Sequence, residues 1–591
     1  MNALQKEDLS HVVIKPNFYR DSLQLMKISE KLRQSSGVSE ASIVMATETN
    51  RGVLIRLGFS PSLIEQANES DMIIAVRAKD QQSIDLVSEQ IGNLFESTEK
   101  EHRLDSRDHE ETTTDIDLAL RKMPSTNLVL LSIPGEYVKD ISHKLIDQGI
   151  HQQIFSDHVP VEDELKIKKH AVAKGVLILG PGAGTSIMNG KGIGFSNTIS
   201  VGPVGIVAAA GTGLQEVACL LDHCGIGVKH GLGVGGNDPK DKIGGIMMLE
   251  CMKILEKDDD IKVIAIVSKP PSSSVEQKIV EYVIGNSTKK YVLTFIGGQL
   301  TAARKNQQEQ QQSHTENFPS EASSSADTTT FSRHTVTTVD HHRGTVKVNS
   351  LASCVLAIAN ELGNQHLQRA ISQLYIQPEE LVNLLQREWS KLQSNQKYIR
   401  ALYTGGTFTY EAQVILRDIM DIGQMHSNAP IEQIRKLQDS FKSEKHSIID
   451  LGEEEFTKGR PHPMIDPTIR KLRILEEVKD PAVGVVLLDF VLGYGSNPDP
   501  VGAVIDELQL AKEIANKEGR YLPVITHVCG TKNDIQGFER SVSKLHSVGC
   551  IVMPTNALAV IASALISQRG QIELGNLYSR YIELPHDWNQ F

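Results

Sequence analysis

The chain has 591 residues, of which 40% are hydrophobic and 23% charged, with a formal net charge of −12. That length is several times the usual ~100–200 residues of one domain, so a single small binding module is excluded. The composition excludes a disordered or collagen-like chain, and an acidic balance without a basic, aromatic-interleaved stripe argues against nucleic acid as a partner.

No run of about 18 uncharged apolar residues occurs, and residues 1–22 lack an apolar stretch of signal-peptide length. A cytoplasmic protein without membrane association is therefore expected. The six cysteines (Cys219, Cys224, Cys251, Cys354, Cys529 and Cys550) contain no CxxC pair. Neither a disulfide framework nor a metal site is expected from them. The 45 glycines and 5% aromatics suit an α/β enzyme with many strand-to-helix turns.

Taken in chain order, residues 11–98 alternate strand and helix (HVVIKPNFY, DSLQLMKISEKLRQ, ASIVMA, DMIIAVRA, QSIDLVSEQIGNLF), which predicts a small α/β domain over 1–100. The polar stretch SRDHEETTTDID predicts a linker within 99–125. Apolar runs alternating with amphipathic helices over 126–198 predict a Rossmann-like unit whose parallel sheet is covered on both faces. Residues 305–333 are almost devoid of apolar side chains and are expected to be disordered. The nearby His341-His342 pair has no acidic or cysteine partner at ligand spacing and reads as a solvated loop.

An internal repeat is the most informative feature. Gly211-Thr212-Gly213-Leu214-Gln215-Glu216 shares its Gly-Thr-x-x-x-Glu spacing with Gly406-Thr407-Phe408-Thr409-Tyr410-Glu411, 195 residues later. Each copy follows an apolar stretch. Each is followed by an Asp-Pro pair (Asp238-Pro239, Asp466-Pro467), two apolar strands and a small-residue helix (SLASCVLAIANEL, TNALAVIASALI). Residues 200–365 and 395–591 are thus expected to be duplicated parallel-sheet α/β domains.

In both copies a Gly-Thr pair stands where a strand turns into a helix. Glycine permits close backbone approach, and free N–H groups with the helix dipole favour an anion. Gly211, Thr212 and Gly213 in one copy, and Gly405, Gly406 and Thr407 in the other, are the candidate phosphate ligands. Glu216 and Glu411 fall about one and a half turns into each helix and are candidate general bases, with plain helix-surface charge as the alternative. The glycine loop holding Gly235, Gly236 and Asn237 is a second candidate binding turn. Its counterpart Gly459-Arg460-Pro461-His462-Pro463 brackets a histidine with prolines, which makes Arg460, His462 and the following Asp466 candidates. Gly182, Gly184 and Thr185 end a Rossmann-like strand, where ligands of parallel sheets bind.

The runs GVLILGPGAGTS, GTGLQE, GVGGNDP and VLTFIGG occur in the order found in the alpha chain of succinyl-CoA synthetase and the nucleotide-forming acyl-CoA synthetases. The runs MATETNRGVL, FSDHVPVEDE, VSKPP, YTGGTFTYEA, DLGEEEF, GRPHPMIDPT and DFVLGYGSNPDPVG extend the resemblance over nearly the whole chain to the FdrA family, including its YahF branch. The resemblance implies a CoA-binding-type Rossmann domain and two synthetase-like, flavodoxin-like domains. For members linked to allantoin breakdown it also implies a role as subunit of an oxamate carbamoyltransferase complex.

The sequence departs from the synthetases in two features and from the FdrA family in two smaller ones. No Gly-His-Ala-Gly stretch follows VLTFIGG or VITHVCGT, so the phosphohistidine is missing from both halves; no glycine occurs in HVVIKPNFYRDSLQLM, where a CoA loop is sought. Gly182-Ala183 stands where the family usually has Asp-Cys, and Ala210 where it usually has serine. The Ala210 change removes a hydroxyl from the first helix start, so phosphate is expected at Gly406-Thr407, with a weaker site at Gly211-Thr212. The reading is a carbamoyltransferase subunit that moves a carbamoyl group between an oxalurate- or oxamate-type acid and phosphate, in an oligomer with other subunits and without a certain cofactor. The alternatives are an acyl-CoA synthetase using CoA and a nucleotide but no phosphohistidine, and a non-catalytic scaffold that binds a small acid.

Overall fold

The computed structural model describes residues 8–20, 22–33, 35–91, 113, 115–298 and 345–583. The predicted disordered stretch 305–333, His341-His342 and most of the predicted linker lie outside them. Among the described residues no helix is long and apolar enough to cross a membrane.

The N-terminal domain is an antiparallel sheet of β1 (Leu9–Lys15), β2 (Val38–Met45) and β3 (Met72–Ala78) in the order β1-β3-β2. The central strand MIIAVRA is apolar on both faces because both are covered. Helices Ser22–Arg33 and 81–91 bury Leu25, Ile28, Leu32 and Val87 against one face. Helix Glu48–Arg56, capped by the Thr47 side chain, buries Leu54 against the other.

In the Rossmann-like unit β4 (Leu128–Leu131), β5 (His151–Ile154) and β6 (Ile178–Leu179) are parallel, joined by helices Gly135–Asp147 and Val161–Lys174. The structure corrects the 126–198 grouping at its end. β7 (Thr185–Met188) and β8 (Lys191–Gly194) form a hairpin that joins the next sheet through β10 (Val228–Gly233). Its turn is Asn189-Gly190, both with positive φ, the two-residue loop that matches strand twist.

The two halves share one topology. In the first, β9 (Val204–Ala208), β10, β11 (Val263–Ser268), β12 (Lys290–Phe295) and β13 (Thr345–Val348) lie in the order β13-β12-β11-β9-β10, with the β7–β8 hairpin beyond β10. In the second, β14 (Tyr398–Tyr403), β15 (Met425–Ser427), β16 (Arg435–Lys436), β17 (His446–Asp450), β18 (Val483–Val491), β19 (Val524–Cys529) and β20 (Ile551–Met553) lie in the order β16-β15-β17-β14-β18-β19-β20. The shared core is β10-β9-β11-β12-β13 in one and β17-β14-β18-β19-β20 in the other, the flavodoxin-like arrangement.

Helices Gly211–His223 and Leu351–Leu362 cover one face of the first sheet, and helices Gly406–Arg417 and Asn556–Ser567 one face of the second. These four helices pack on one another, so the largest apolar core belongs to both halves together. Small residues allow the approach: a Cβ on Gly405 would lie 2.8 Å from Thr212 Cγ2, and one on Gly213 would lie 3.1 Å from Thr407 Cγ2.

Candidate functional site

The packing of the four helices sets the two Gly-Thr starts side by side, each at the carboxyl end of the first strand of the shared five-stranded core. Thr212 Oγ1 lies 3.3 Å from Thr407 Oγ1. Both starts open into a cleft of about 750 Å³ lined also by Gly182, Gly184 and Thr185, by Gly236 and Asn237, and by Pro461 and His462. Three separately predicted turns and both helix starts thus face one space.

The remaining predicted residues sit behind its walls. Gly213 and Gly405 serve the contact between the helices. Gly235, with φ +84, passes so close to the Gly180 loop that a Cβ would lie 2.3 Å from Pro181 O. Asn237 is held from behind: it donates to Glu164 Oε2 at 3.0 Å, while Lys168 Nζ donates to Glu164 Oε1 and Asp238 Oδ1, both at 2.8 Å.

The carboxylates expected to act as bases are turned into the helix layer. Glu216 is fully buried and pairs with His527 of the other half at 2.8 Å. Burial alone would lower the His527 pKa, but the Glu216 carboxylate reverses this and raises it. Glu411 accepts the Leu351 N–H at 2.8 Å and the Asn556 amide at 2.8 Å, and burial lifts its pKa to about 7. A period of 3.6 residues gives depth along a helix, but the partner helix decides which side becomes interior.

Arg460 and Asp466 also face away from the cleft. They pair at 3.1 Å, and Asp466 Oδ1 accepts from Thr468 N and Oγ1 at the start of helix Thr468–Glu477. His462 does face the cleft. Its Nδ1 accepts the Met464 N–H at 3.2 Å, and burial pulls its pKa down to about 4 despite the charges of Asp489 and Asp157. A neutral imidazole whose Nδ1 accepts carries its proton on Nε2 and is a donor there. Its ring continues an aromatic row with Phe195, at 6.0 Å, and Phe155.

Three groups escaped the sequence reading. Lys269 follows β11 at the point where strand order reverses, the position at which such sheets bind ligands. It lines the cleft, its ammonium 4.9 Å above the Tyr410 ring, and it has no ion-pair partner among the described residues. Asp489 is fully buried and receives Thr404 N at 2.8 Å, Gly405 N at 2.9 Å and Arg470 Nη2 at 2.8 Å. Asp450 Oδ2 lies 2.9 Å from where a Cβ on Gly406 would stand. Burial, with Glu453 adding to it, lifts the Asp450 pKa to about 7.

These carboxylates distinguish the surroundings of the two helix starts. At the second, Asp489 holds the strand-end N–H groups and Asp450 adds negative charge. At the first, a Cβ on Gly211 would meet only Thr185 Oγ1, at 3.7 Å, and the N–H groups of Gly211, Thr212 and Gly213, like those of Gly406 and Phe408, have no protein acceptor among the described residues.

Among the described residues no cluster of three or more histidine, cysteine or acidic side chains is placed to hold a metal. In the Rossmann-like unit, the turn after β4 has one glycine, Gly135, where a Cβ would lie 2.5 Å from Asp157 O.

Residues 402–566 match the CoA-ligase family model, and residues 7–113 match the AllF heavy metal-associated domain. The chain is 26% identical over 174 residues to the alpha subunit of an ADP-forming succinate–CoA ligase of Staphylococcus aureus (strain N315), spanning 29% of this chain and 56% of that one. Among solved structures, the dinucleotide-forming acetyl-coenzyme A synthetase 1 of Ca. Korarchaeum cryptofilum, in complex with phosphate and ADP, aligns with a TM-score of 0.25 and 13% identity over 75% of this chain and 83% of that one. The protein YahF of Escherichia coli (strain K12) is 35% identical over 541 residues, 92% of this chain and 95% of that one. The chain is a member of the YahF family, with a CoA-ligase-type second half.

Proposed function

We propose that the cleft carries acyl-group transfer between a small acid and phosphate without a phosphohistidine. The observation that carries this reading is the open Gly211-Thr212 helix start beside Thr407 and Lys269 in one cleft. The helix start would hold the phosphate, the Lys269 ammonium the acid's carboxylate, and the His462 Nε2–H would donate to the acyl oxygen as charge develops on it.

In the form suggested by the CoA-ligase match, the sulfur of CoA attacks the carbonyl of an acyl phosphate. The C–O bond to phosphate breaks, and phosphate leaves onto the helix start. Carbamoyl transfer is the second reading, and it asks for no CoA or nucleotide. There a phosphate oxygen attacks the carbamoyl carbon of an oxalurate-type acid, the C–N bond breaks, and the amide nitrogen takes a proton to leave an oxamate-type acid and carbamoyl phosphate.

Both reactions should be assayed on the native complex. Exchange of labelled phosphate into carbamoyl phosphate, dependent on oxamate, supports carbamoyl transfer; CoA- and nucleotide-dependent thioester formation supports the ligase. Neither activity in the native complex sinks both readings and leaves a scaffold. Lys269→Met should raise the KM for the acid about tenfold, as expected for losing one charged contact, with phosphate affinity unchanged. An unchanged KM removes Lys269 from the site.

A further inference from the structure

The N-terminal domain matches a model described as heavy metal-associated, yet its described residues do not fit a metal. Soft metals need thiolate or imidazole donors. The first cysteine of the chain is Cys219, and the single histidine among the described residues of this domain is His11, on the exposed edge strand β1.

What the domain does carry is a face fixed to the second half. Val53 of helix Glu48–Arg56 is fully buried in the core formed by Leu402, Ile449 and Phe456. The Arg56 guanidinium lies 3.8 Å from the centre of the Phe441 ring. Asn50 is fully buried, and its amide donates to Met45 O at 2.8 Å and, across the domains, to Gly459 O at 3.0 Å. Gly459 has φ +72, and a Cβ there would lie 2.6 Å from Thr47 Cγ2, so the turn fits under the domain only as glycine.

From that anchor the chain runs through Arg460, clamped to Asp466, to Pro461 and His462 in the cleft wall. Two prolines limit how far the turn can bend independently of its base. The domain also reaches the cleft directly, because Ser22, the first residue of helix Ser22–Arg33, lines it.

We propose that this domain is a strut and wall of the cleft rather than a metal carrier: the Thr47–Asn50 turn grips Gly459 and thereby sets the position of His462, making Asn50 a positioning residue. The inference rests on reading the cleft as the binding site.

The test uses the full chain with Asn50→Asp, which keeps size but removes the donor, and Gly459→Ala, which places a methyl against Thr47. Two readouts are followed: phosphate affinity, and the pH profile of His462 carbethoxylation read by mass spectrometry. The groups that face His462 electrostatically, Asp157 and Asp489, stay in place in both variants. We expect phosphate affinity to fall about tenfold and the His462 profile to move up towards that of an ordinary imidazole near 6.5, as burial is relieved. Thr47→Ser, which trims the contact without adding bulk, gives the same two readouts if either variant fails to fold, with smaller shifts expected. A folded variant set with unchanged His462 profile and affinity overturns the proposal, as does one equivalent of zinc or copper(I) bound by the wild type and lost in His11→Ala. Wild type without phosphate affinity, but with a His462 profile that still moves in the variants, overturns the reading of the cleft and leaves the strut standing.

Discussion

The two Gly-Thr helix starts occupy the same place in the same topology, yet their surroundings differ by two buried carboxylates. Strand register aligns Leu402 with Leu488 in the second half and Val207 with Ile266 in the first, so Val267 occupies the place of Asp489. Tyr403 pairs with Asp450 and Ala208 with Gly233, so Gly233 occupies the place of Asp450. The first half thus has no carboxylate at either position. A helix N-terminus that carries its own anion is a finished structural element, whereas one without it attracts a ligand.

The largest effect should follow from removing the built-in anion. Asp489→Ala leaves Arg470 buried and unpaired and frees two strand-end N–H groups, which should cost the second half about 3–5 kcal/mol. Thermal unfolding followed by hydrogen exchange should show the loss there and not in the first half; a variant as stable as wild type would mean that Asp489 does not fill the second start.

The next effect separates the starts as binding sites. Gly211→Val should lower sulfate or phosphate affinity about a hundredfold, because charge-assisted hydrogen bonds of about 1.5–3 kcal/mol each are blocked. Gly406→Val should lower it tenfold or less, the exact reverse of the rank read from the sequence alone. Isothermal titration of the folded variants decides, and the larger loss at Gly406 would restore the original rank.

The smallest effect is a pH dependence. Asp450, lifted to about 7, gains its charge as the solution passes neutrality and then repels an anion in the cleft. His462, held near 4, stays neutral over the same range and adds nothing. Sulfate, which does not itself titrate there, should bind about threefold to tenfold more weakly at about pH 8 than at about pH 6. In Asp450→Asn the slope should vanish; a slope that persists assigns the titration to another group.

Much of this was legible in the sequence. Apolar runs and glycine turns gave the succession of strands and helices in both halves, and the Gly-Thr repeat gave the helix starts. The Asn189-Gly190 hairpin carried a readable turn signal, but the apolar run before it pulled it into the Rossmann-like unit. Lys269 was within reach of the switch-point rule, since the repeat already located the end of β11. Asp489 and Asp450 were hidden for a different reason: each is a lone acid in an apolar strand, VVLLDFV and HSIIDLG, where the surrounding pattern records burial and not the partner that makes burial tolerable. The direction of Arg460 was not readable at all, because the Asn50 amide that anchors its turn lies 409 residues away from Gly459.

The shared four-helix layer bears on how such an asymmetry arises. Two identical chains meeting about a two-fold axis must change both copies of a residue at once, so Val267 and Asp489 would have to be the same amino acid. Joining the copies in one polypeptide lifts that constraint and fixes their effective concentration, so that one copy can acquire an internal counter-charge while its twin stays free for a ligand. Fusion turns a symmetric contact into a division of labour.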